Sequence, residues 1–241
     1  MKRARVTILL LIIVISASVT AVSLYKKHEA DVLEDLKQEM TDSSPDGSNE
    51  EKMAVDFSYL KEINPDIVAW IDLPDTSISY PVLQSGEDKK EDYYLHHNVD
   101  GSYGYPSSVY MQKTNSSDFC DSVTVLYGHN MKNGSMFAGL HSYKDADYFD
   151  THSDIYVYTP TGTKHYRVFA SLFYDDSLIL DAYQGFQTGE EVKAFYKESV
   201  EKANNVNYGV EVNEDSKILV LSTCEKGQND VRYLVEAVLV D

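Results

Sequence analysis

Short apolar runs separated by polar turn residues dominate the chain from residue 67 onward. Runs of this kind, rich in valine, isoleucine, tyrosine and phenylalanine, are typical of β-strands. The pattern predicts strands at residues 68–73, 78–83, 108–112, 122–127, 155–158, 165–173, 217–224 and 231–235. Eight short strands in one domain indicate a mostly β fold, either a closed barrel or a sandwich.

Apolar residues at helical spacing interrupt this strand pattern at three places. Residues 53–63 carry apolar side chains on one face and end at Asn64-Pro65, which predicts a short N-terminal helix. A second short helix is expected between residues 131 and 150. The longest, at residues 189–203, has an apolar stripe that should pack against the barrel.

An uncharged run covers residues 6–25 and follows a basic tip formed by Lys2, Arg3 and Arg5. A helix of that length spans about 30 Å, the thickness of a hydrocarbon core. The run therefore predicts a transmembrane anchor, and the basic tip favours a cytoplasmic N-terminus with the remainder outside. The alternative is a cleaved signal peptide, for which Ser16-Ala17-Ser18 is only a weak cleavage site.

The chain is accordingly predicted to consist of three parts. Residues 1–25 form the cytoplasmic tip and the anchor. Residues 26–52 hold a solvated juxtamembrane helix and a flexible linker, because residues 41–51 contain no apolar side chain to bury. Residues 53–241 form a single folded domain of ordinary size.

Charge and cysteine content exclude several classes of function. The net charge of −18 without a basic face excludes a nucleic-acid partner, since phosphate attraction requires clustered lysine and arginine. Two cysteines, Cys120 and Cys224, are too few for a disulfide framework, although one bridge between them is an alternative. No cysteine has a second nearby and the adjacent rings of His96-His97 cannot easily share one metal, so no metal or other cofactor is expected.

The last two predicted strands carry two reactive side chains. A polar loop containing Gly227 joins them, which favours an antiparallel hairpin. Cys224 ends the first strand and Arg232 lies near the start of the second, so the two can lie within ~8 Å of each other. A thiolate is a nucleophile, and a guanidinium can stabilise the negative charge that develops during its attack on a carbonyl. The alternative for Arg232 is a surface ion pair with an acid such as Glu236.

Among the seven histidines, His129 is the candidate base. It follows the apolar run at residues 123–127 and Gly128, and it precedes a loop that contains Gly134. A strand end followed by a loop holds a side chain on a rigid element while leaving it open to substrate. No Gly-x-Ser-x-Gly elbow, phosphate loop or dinucleotide fingerprint is present.

These segments together resemble a known family. Residues 221–224 (Leu-Ser-Thr-Cys) with Arg232, residues 127–131 (Tyr-Gly-His-Asn-Met) and residues 134–137 (Gly-Ser-Met-Phe) resemble the motifs of the sortases, membrane-anchored cysteine transpeptidases of Gram-positive bacteria. The resemblance covers residues 53–241. Class B is the most similar, because it has an N-terminal helical extension and a helix inserted between the sixth and seventh strands of an eight-stranded β-barrel. Val220 and Gln112 depart from the family pattern, which has a threonine and an acid there.

The resemblance implies a role for each candidate residue. Cys224 would be the nucleophile, His129 the general acid and base, and Arg232 the arginine beside the oxyanion. The implied contacts to the substrate peptide are made by Ser222, Thr223, Glu225, Leu95 and Tyr183. The expected substrates are secreted proteins bearing a C-terminal sorting signal, which would be cleaved after threonine through a thioester.

The expected acceptor is an amine of a peptidoglycan precursor or cross-bridge, on the extracellular face of the cell membrane. Two alternatives remain open at this point. One is a sortase that polymerises pilin subunits through a lysine amine. The other is a membrane-tethered β-barrel binding module whose cysteine is inert or disulfide-bonded.

Overall fold

The computed structural model describes residues 55–183 and 185–241, together with residues 32 and 34–36 of the N-terminal segment. The predicted anchor at residues 6–25 and the predicted linker lie outside the described residues. In the part of the chain that is described, no helix has the length and apolar character needed to cross a membrane. Val55–Asp241 form one compact unit.

Nine strands make up the sheet of this unit. They are β1 (Ile67–Asp72), β2 (Ser79–Leu83), β3 (Val109–Met111), β4 (Val123–Tyr127), β5 (Asp154–Thr159), β6 (Gly162–Asp175), β7 (Ala203–Val206), β8 (Ile218–Glu225) and β9 (Gln228–Leu239). Eight of them follow the order β5-β1-β2-β3-β4-β8-β9-β6, and a further pairing of β5 with β6 closes the ring. The predicted mostly β, eight-stranded barrel is therefore confirmed.

Strand β7 extends the sheet beside β6 and was not expected from the sequence. It pairs with residues 170–172 of β6, next to the portion of β6 that pairs with β5. Its sequence, Ala-Asn-Asn-Val, has too few apolar residues to indicate a strand. Pairing with an existing strand edge, rather than local propensity, accounts for its extended conformation.

Helices occupy the three regions where the apolar spacing predicts them, with differences in bounds and type, and two further short helices, at Tyr93–Leu95 and Ile179–Ala182, were not predicted. They are α1 (Phe57–Ile63), a 3-10 helix at Tyr93–Leu95, a second 3-10 helix at Phe137–Lys144, α2 (Ala146–Thr151), α3 (Ile179–Ala182) and α4 (Gly189–Lys202). Helix α1 begins after Asp56, whose carboxylate accepts hydrogen bonds from two backbone N–H groups of the first turn. A reciprocal capping box formed by Thr188 and Glu191 begins α4.

Helices α3 and α4 cover one face of the sheet segment β4-β8-β9-β6. Leu180, Val192 and Phe195 from these helices pack against strand residues that include Val220 and Leu234. Because successive strand residues alternate between faces, this apolar layer fixes which side chains of β8 and β9 point the same way. The layer therefore fixes the orientation of the strand ends that carry the candidate catalytic residues.

The pairing of β4 with β8 excludes a disulfide between Cys120 and Cys224. The Lys217 Nζ donates to the Cys120 carbonyl at 2.6 Å, so Cys120 lies at the beginning of β8. Cys224 lies near the other end of that strand, about 20 Å away at the usual rise per residue. A disulfide needs Cα atoms within ~7 Å. Both cysteines are free and exposed.

Candidate active site

Strands β8 and β9 place an exposed thiol directly opposite a guanidinium. The two strands are antiparallel, and Cys224 is the register partner of Arg232. Partners in such a pair point to the same face of the sheet. The predicted hairpin is thus confirmed, and the register shifts immediately after this pair, between Cys224 and Glu225.

Arg232 uses its charged end within the hairpin rather than in a surface ion pair. Its Nη1 donates to the Asn229 carbonyl at 2.8 Å and to the Val231 carbonyl at 3.2 Å. Glu236, the partner considered for it, is completely buried. The surface ion pair with Glu236 is therefore wrong. Leu234, two residues after Arg232 on the same face of β9, already packs under helices α3 and α4, and Glu236 lies further along that face.

Tyr110 on β3 lies in the electric field of both groups. Burial raises its pKa most, and electrostatic interactions with Glu91, Asp92 and Cys224 raise it further, whereas the positive charge of Arg232 lowers it. The Tyr110 ring stacks on Tyr127 of β4 with a centroid separation of 5.4 Å. Aromatic side chains thus line the sheet beside the thiol.

The parallel pairing of β4 with β8 brings His129 beside Cys224. The last paired residues are Tyr127 and Ser222, and the Gly128 N–H donates to the Ser222 carbonyl at 3.1 Å. The Thr223 hydroxyl returns a hydrogen bond to the Gly128 carbonyl at 2.8 Å. His129 lies two residues beyond the last pair on one strand, and Cys224 two residues beyond it on the other. Neighbouring strands are ~4.8 Å apart, so the two residues leave adjacent strand ends, and Asn130, next to His129, reaches the Cys224 carbonyl with its Nδ2 at 2.9 Å.

The His129 ring has a defined tautomer in its neutral form. Its Nε2 lies 2.7 Å from the Leu95 carbonyl oxygen, which can only accept, so Nε2 carries the hydrogen. The lone pair of the neutral ring is then on Nδ1. Burial lowers the pKa of His129 most, the Leu95 carbonyl raises it, and His96 lowers it. A neutral ring with a free Nδ1 is suited to take a proton from a thiol.

Gly128 permits the close packing that positions His129. A Cβ at this position would lie 2.7 Å from two atoms of the Phe137 ring. The Phe137 N–H in turn donates to the His129 carbonyl at 3.0 Å, which closes the loop after β4. Glycine between Tyr127 and His129 is therefore a steric requirement of the site.

The residues predicted to contact substrate occupy different environments. Ser222 and Thr223 are buried within the sheet, and Leu95 contributes its carbonyl to His129. Glu225 follows the nucleophile and pairs with Lys144 at 2.7 Å. Tyr183 stacks on Phe186 in the α3–α4 region and donates to Glu198. Their contacts with a peptide remain predictions.

Three residues near Cys224 were not identified as functional from the sequence. Asn130, His141 and Lys144 come from the loop after β4 and from the 3-10 helix Phe137–Lys144, and they contact Cys224 or Glu225. Asn130 lies within the Tyr-Gly-His-Asn-Met motif at residues 127–131, whereas no motif in the sequence includes His141 or Lys144. In the described part of the chain, no group of three or more histidine, cysteine or acidic side chains is arranged to hold a metal ion.

These features define a class of protein, a β-barrel with a candidate cysteine nucleophile. The barrel is closed and has eight strands, the cysteine is exposed, an arginine lies opposite it, and a histidine follows the adjacent strand. Comparison with family models sharpens this class. The Sortase domain model matches residues 71–240, well over half of the chain. The chain belongs to the sortase family.

The chain is similar to several sortases of class B. Sortase B of Listeria monocytogenes is 32% identical over 218 residues, covering 89% of this chain and 86% of the relative. The structure of sortase B from B. anthracis in complex with AAEK1 superposes with a TM-score of 0.74 at 30% identity, over 90% of this chain and 98% of that one. The Staphylococcus aureus sortase B–substrate complex gives a TM-score of 0.68 at 28% identity, over 77% and 84% of the two chains.

Proposed function

We propose that the protein is a class B cysteine transpeptidase that cleaves a C-terminal sorting signal after threonine and transfers the protein to a cell-wall peptide amine. The observation that carries this proposal is that Cys224, Arg232 and His129 lie at three adjacent strand ends. Membership of the sortase family supports the same reaction class. A relative from Staphylococcus aureus has been solved with a substrate.

The first half-reaction forms an acyl-enzyme. The Cys224 sulfur attacks the threonine carbonyl while its proton passes to Nδ1 of His129. The Arg232 guanidinium stabilises the negative charge that develops on the carbonyl oxygen. His129 then returns the proton to the leaving amine, the carbon–nitrogen bond breaks, and a thioester remains on Cys224.

The second half-reaction consumes the thioester. An amine of a peptidoglycan precursor or cross-bridge attacks the same carbonyl and loses a proton to His129. The carbon–sulfur bond breaks, the sulfur recovers a proton, and an amide bond joins the protein to the wall peptide. One catalytic histidine thus serves as base and acid in alternation, which requires a pKa near the working pH.

The peptide would run along the aromatic face beside the thiol. Ser222, Thr223, Glu225, Leu95 and Tyr183 are the proposed peptide contacts. The apolar run at residues 6–25 would tether the enzyme to the cell membrane with the barrel on the extracellular face. Protease treatment of intact cells tests this orientation, since degradation of the barrel without lysis is expected.

The central experiment offers the purified full chain a panel of quenched fluorescent sorting peptides, with and without an amine acceptor. Cleavage, a thioester adduct on Cys224 in the mass spectrum and acceptor-dependent product are expected. Cys224→Ala should abolish all three. The matched control is Cys120→Ala, which removes the other exposed thiol at the far end of β8 and should leave the rate unchanged. Undiminished cleavage by Cys224→Ala would refute the proposal.

A pilin-polymerising sortase is the second candidate. A Streptococcus pyogenes class B sortase involved in pilus biogenesis shares the fold. A lysine-bearing pilin peptide that outcompetes wall-peptide amines as acceptor would favour this reading. A binding module with an inert thiol is the third, and failure of Cys224 to react with a thiol reagent in the native protein would favour it over both enzymes.

A further inference from the structure

The carbonyl that holds the candidate catalytic histidine belongs to a very short element. The Leu95 oxygen accepts from the His129 Nε2 at 2.7 Å, and Leu95 is the last residue of the 3-10 helix Tyr93–Leu95. The backbone hydrogen bonds within a single turn set its shape but not its place in the protein. The central side chain of this turn, Tyr94, is completely buried and therefore attaches the turn to the rest of the domain.

The Tyr94 hydroxyl lies at the centre of a polar cluster formed with Asn64, Asp66 and Lys89. It donates to Asp66 Oδ2 at 2.6 Å, and its oxygen accepts from the Asn64 Nδ2 at 3.1 Å. The Lys89 ammonium lies 3.4 Å from the same oxygen and pairs with Asp66 Oδ2. We call these four residues the Asp66 cluster.

The hydrogen atoms of the Asp66 cluster are fixed by its partners. The Asn64 Nδ2 donates to the Val99 carbonyl at 2.8 Å, and the Asn64 Oδ1 accepts from the Asp66 N–H at 3.0 Å, which sets the orientation of the amide. The second hydrogen of the Asn64 amide then goes to the Tyr94 oxygen. The single hydrogen of the Tyr94 hydroxyl is left for the Asp66 carboxylate.

Charge strengthens the bond between Tyr94 and Asp66. Burial raises the pKa of Asp66, but the hydrogen bonds from Lys89 and Tyr94 outweigh it, and the pKa lies below its ordinary value. Burial, with a further contribution from Asp66, raises the pKa of Tyr94 to about 12. An ionised carboxylate therefore accepts from a neutral hydroxyl at neutral pH, and a hydrogen bond to a charged partner is roughly twice as strong as a neutral one.

The Asp66 cluster is attached to the wall of the barrel. Asn64 ends α1, and Asp66 immediately precedes β1, which pairs with both β2 and β5. The Tyr94 carbonyl, by comparison, accepts from the Ser108 N–H at a longer 3.3 Å. The hydroxyl of Tyr94 is thus the shorter of these two attachments, and it reaches the start of a strand that is paired on both sides.

We propose that the Asp66–Tyr94 hydrogen bond fixes the Leu95 carbonyl and thereby holds His129 with its hydrogen on Nε2 and its Nδ1 open to reaction. Asp66 and Tyr94 are positioning residues, since they act on His129 through Leu95, and their effect on turnover rests on the transpeptidase function proposed above. Without this attachment the Leu95 oxygen shifts and the neutral ring populates the other tautomer. In that tautomer Nδ1 carries a hydrogen and cannot take a proton from the thiol.

The pKa of His129 reports on the contact with Leu95. Burial lowers this pKa most, the Leu95 carbonyl raises it, and His96 lowers it. The Tyr105 ring also lies against the imidazole, with a centroid separation of 5.2 Å. Loss of the Leu95 contact removes the effect that raises the pKa, so the pKa falls further. The base then stays neutral to lower pH, and the acid limb of the rate profile moves with it.

The test removes one hydroxyl and compares this change with a matched loss elsewhere. Tyr94→Phe keeps the buried ring and removes the bond to Asp66. We expect kcat/KM to fall roughly 10- to 100-fold, because a small misplacement of reacting groups costs that much, and the acid limb to move to lower pH. Tyr143→Phe is the control, since Tyr143 is also completely buried and its hydroxyl donates to the His152 carbonyl at 2.7 Å. It should lower the unfolding midpoint comparably while leaving kcat/KM and its pH profile as in wild type.

Substitutions of the carboxylate separate the hydrogen bond from the charge. Asp66→Asn keeps an acceptor for the Tyr94 hydroxyl and should retain most of kcat/KM, whereas Asp66→Ala removes the acceptor and should match Tyr94→Phe. Because Asp66→Ala and Tyr94→Phe remove the same bond, the double variant should be no slower than the slower single variant. A double variant in which the two losses multiply would show that the residues act independently and would overturn the proposal.

Nitrogen-15 NMR of histidine-labelled full chain gives a readout that does not depend on peptide turnover, and His129→Gln identifies the His129 signals. Wild type and Tyr143→Phe should show a hydrogen on Nε2 of His129, and Tyr94→Phe a mixture of tautomers with a lowered pKa. If no sorting peptide is cleaved, the proposed function fails, while this spectrum still decides the present inference. An unchanged tautomer and pKa of His129 in Tyr94→Phe would overturn it, whatever the loss of stability.

Discussion

Glu236 on β9 is a carboxyl group enclosed in the apolar layer between the sheet and helices α3 and α4. Its side chain is fully buried, and neither carboxyl oxygen makes a hydrogen bond within the described residues. Its sheet neighbours are Val220 and Ala170. Burial raises its pKa to about 8, Ser199 on α4 lowers it in part, and Glu198 raises it. The folded protein therefore holds this group protonated at neutral pH.

The sign of the resulting pH dependence follows from linkage. The folded-state pKa of Glu236 lies above its unfolded value, so its contribution to stability is complete below the unfolded pKa and is lost as pH rises through the folded pKa. The interval from the ordinary value of 4.5 to about 8 corresponds to roughly 4 to 5 kcal/mol of unfolding free energy. Glu236→Gln cannot ionise and removes this dependence. Its buried amide costs about 1 to 3 kcal/mol at low pH if its N–H groups lack partners.

Urea unfolding from pH 5 to pH 9 measures both effects. Trp70 is the only tryptophan and is fully buried, so its fluorescence reports loss of the barrel. We expect wild type to be the more stable protein at pH 5 and Glu236→Gln the more stable at pH 9. Glu211→Gln changes an exposed glutamate and should follow the wild-type curve. Parallel curves for wild type and Glu236→Gln would show that Glu236 holds no proton across this range and would refute the argument.

Three further predictions concern the strand ends. Gly128→Ala forces a Cβ to 2.7 Å from the Phe137 ring and should cost about 1 to 3 kcal/mol in chemical unfolding while lowering peptide cleavage. Gly139→Ala is the control, because its Cβ would meet a side chain only at 3.3 Å, and its effect should be far smaller. Equal effects of the two substitutions would contradict the steric argument. Thr223→Val leaves the Gly128 carbonyl without its hydroxyl donor and should cost about 1 to 3 kcal/mol, so an unchanged unfolding midpoint would count against that bond. Arg232→Lys keeps the positive charge but loses the planar guanidinium with its paired N–H donors, and we expect kcat to fall roughly 100-fold in steady-state kinetics. A rate equal to that of wild type would show that Arg232 acts only through its charge.

The hairpin of the site could be predicted because its determinants are local. Two apolar runs flank a polar loop with Gly227, and the facing of Cys224 and Arg232 follows from the strand period once the loop is placed. The position of His129 beside Cys224 had no such basis. It depends on the parallel pairing of β4 with β8, which joins segments far apart in the chain and leaves no signal in either segment. Only the resemblance to a family connected the two residues.

The residues that the sequence did not identify have a common physical reason. His141 lies on a 3-10 helix, and its approach to Cys224 depends on where that helix packs rather than on any spacing in the chain. Glu236 has the appearance of a surface acid, because charged residues are seldom buried. Its burial follows from the position of α4 over the sheet. Tertiary packing, in both cases, overrides the expectation drawn from residue type.

The site is built where regular pairing ends, and this gives its hydrogen bonds two roles. Beyond the last β4–β8 pair, the carbonyls of Gly128, His129 and Cys224 accept hydrogen bonds from the Thr223 hydroxyl, the Phe137 N–H and the Asn130 amide. Buried backbone groups left without such partners would destabilise the fold. The same three bonds set the separation of the base from the nucleophile. Loss of any one of them should therefore lower stability and reaction rate together.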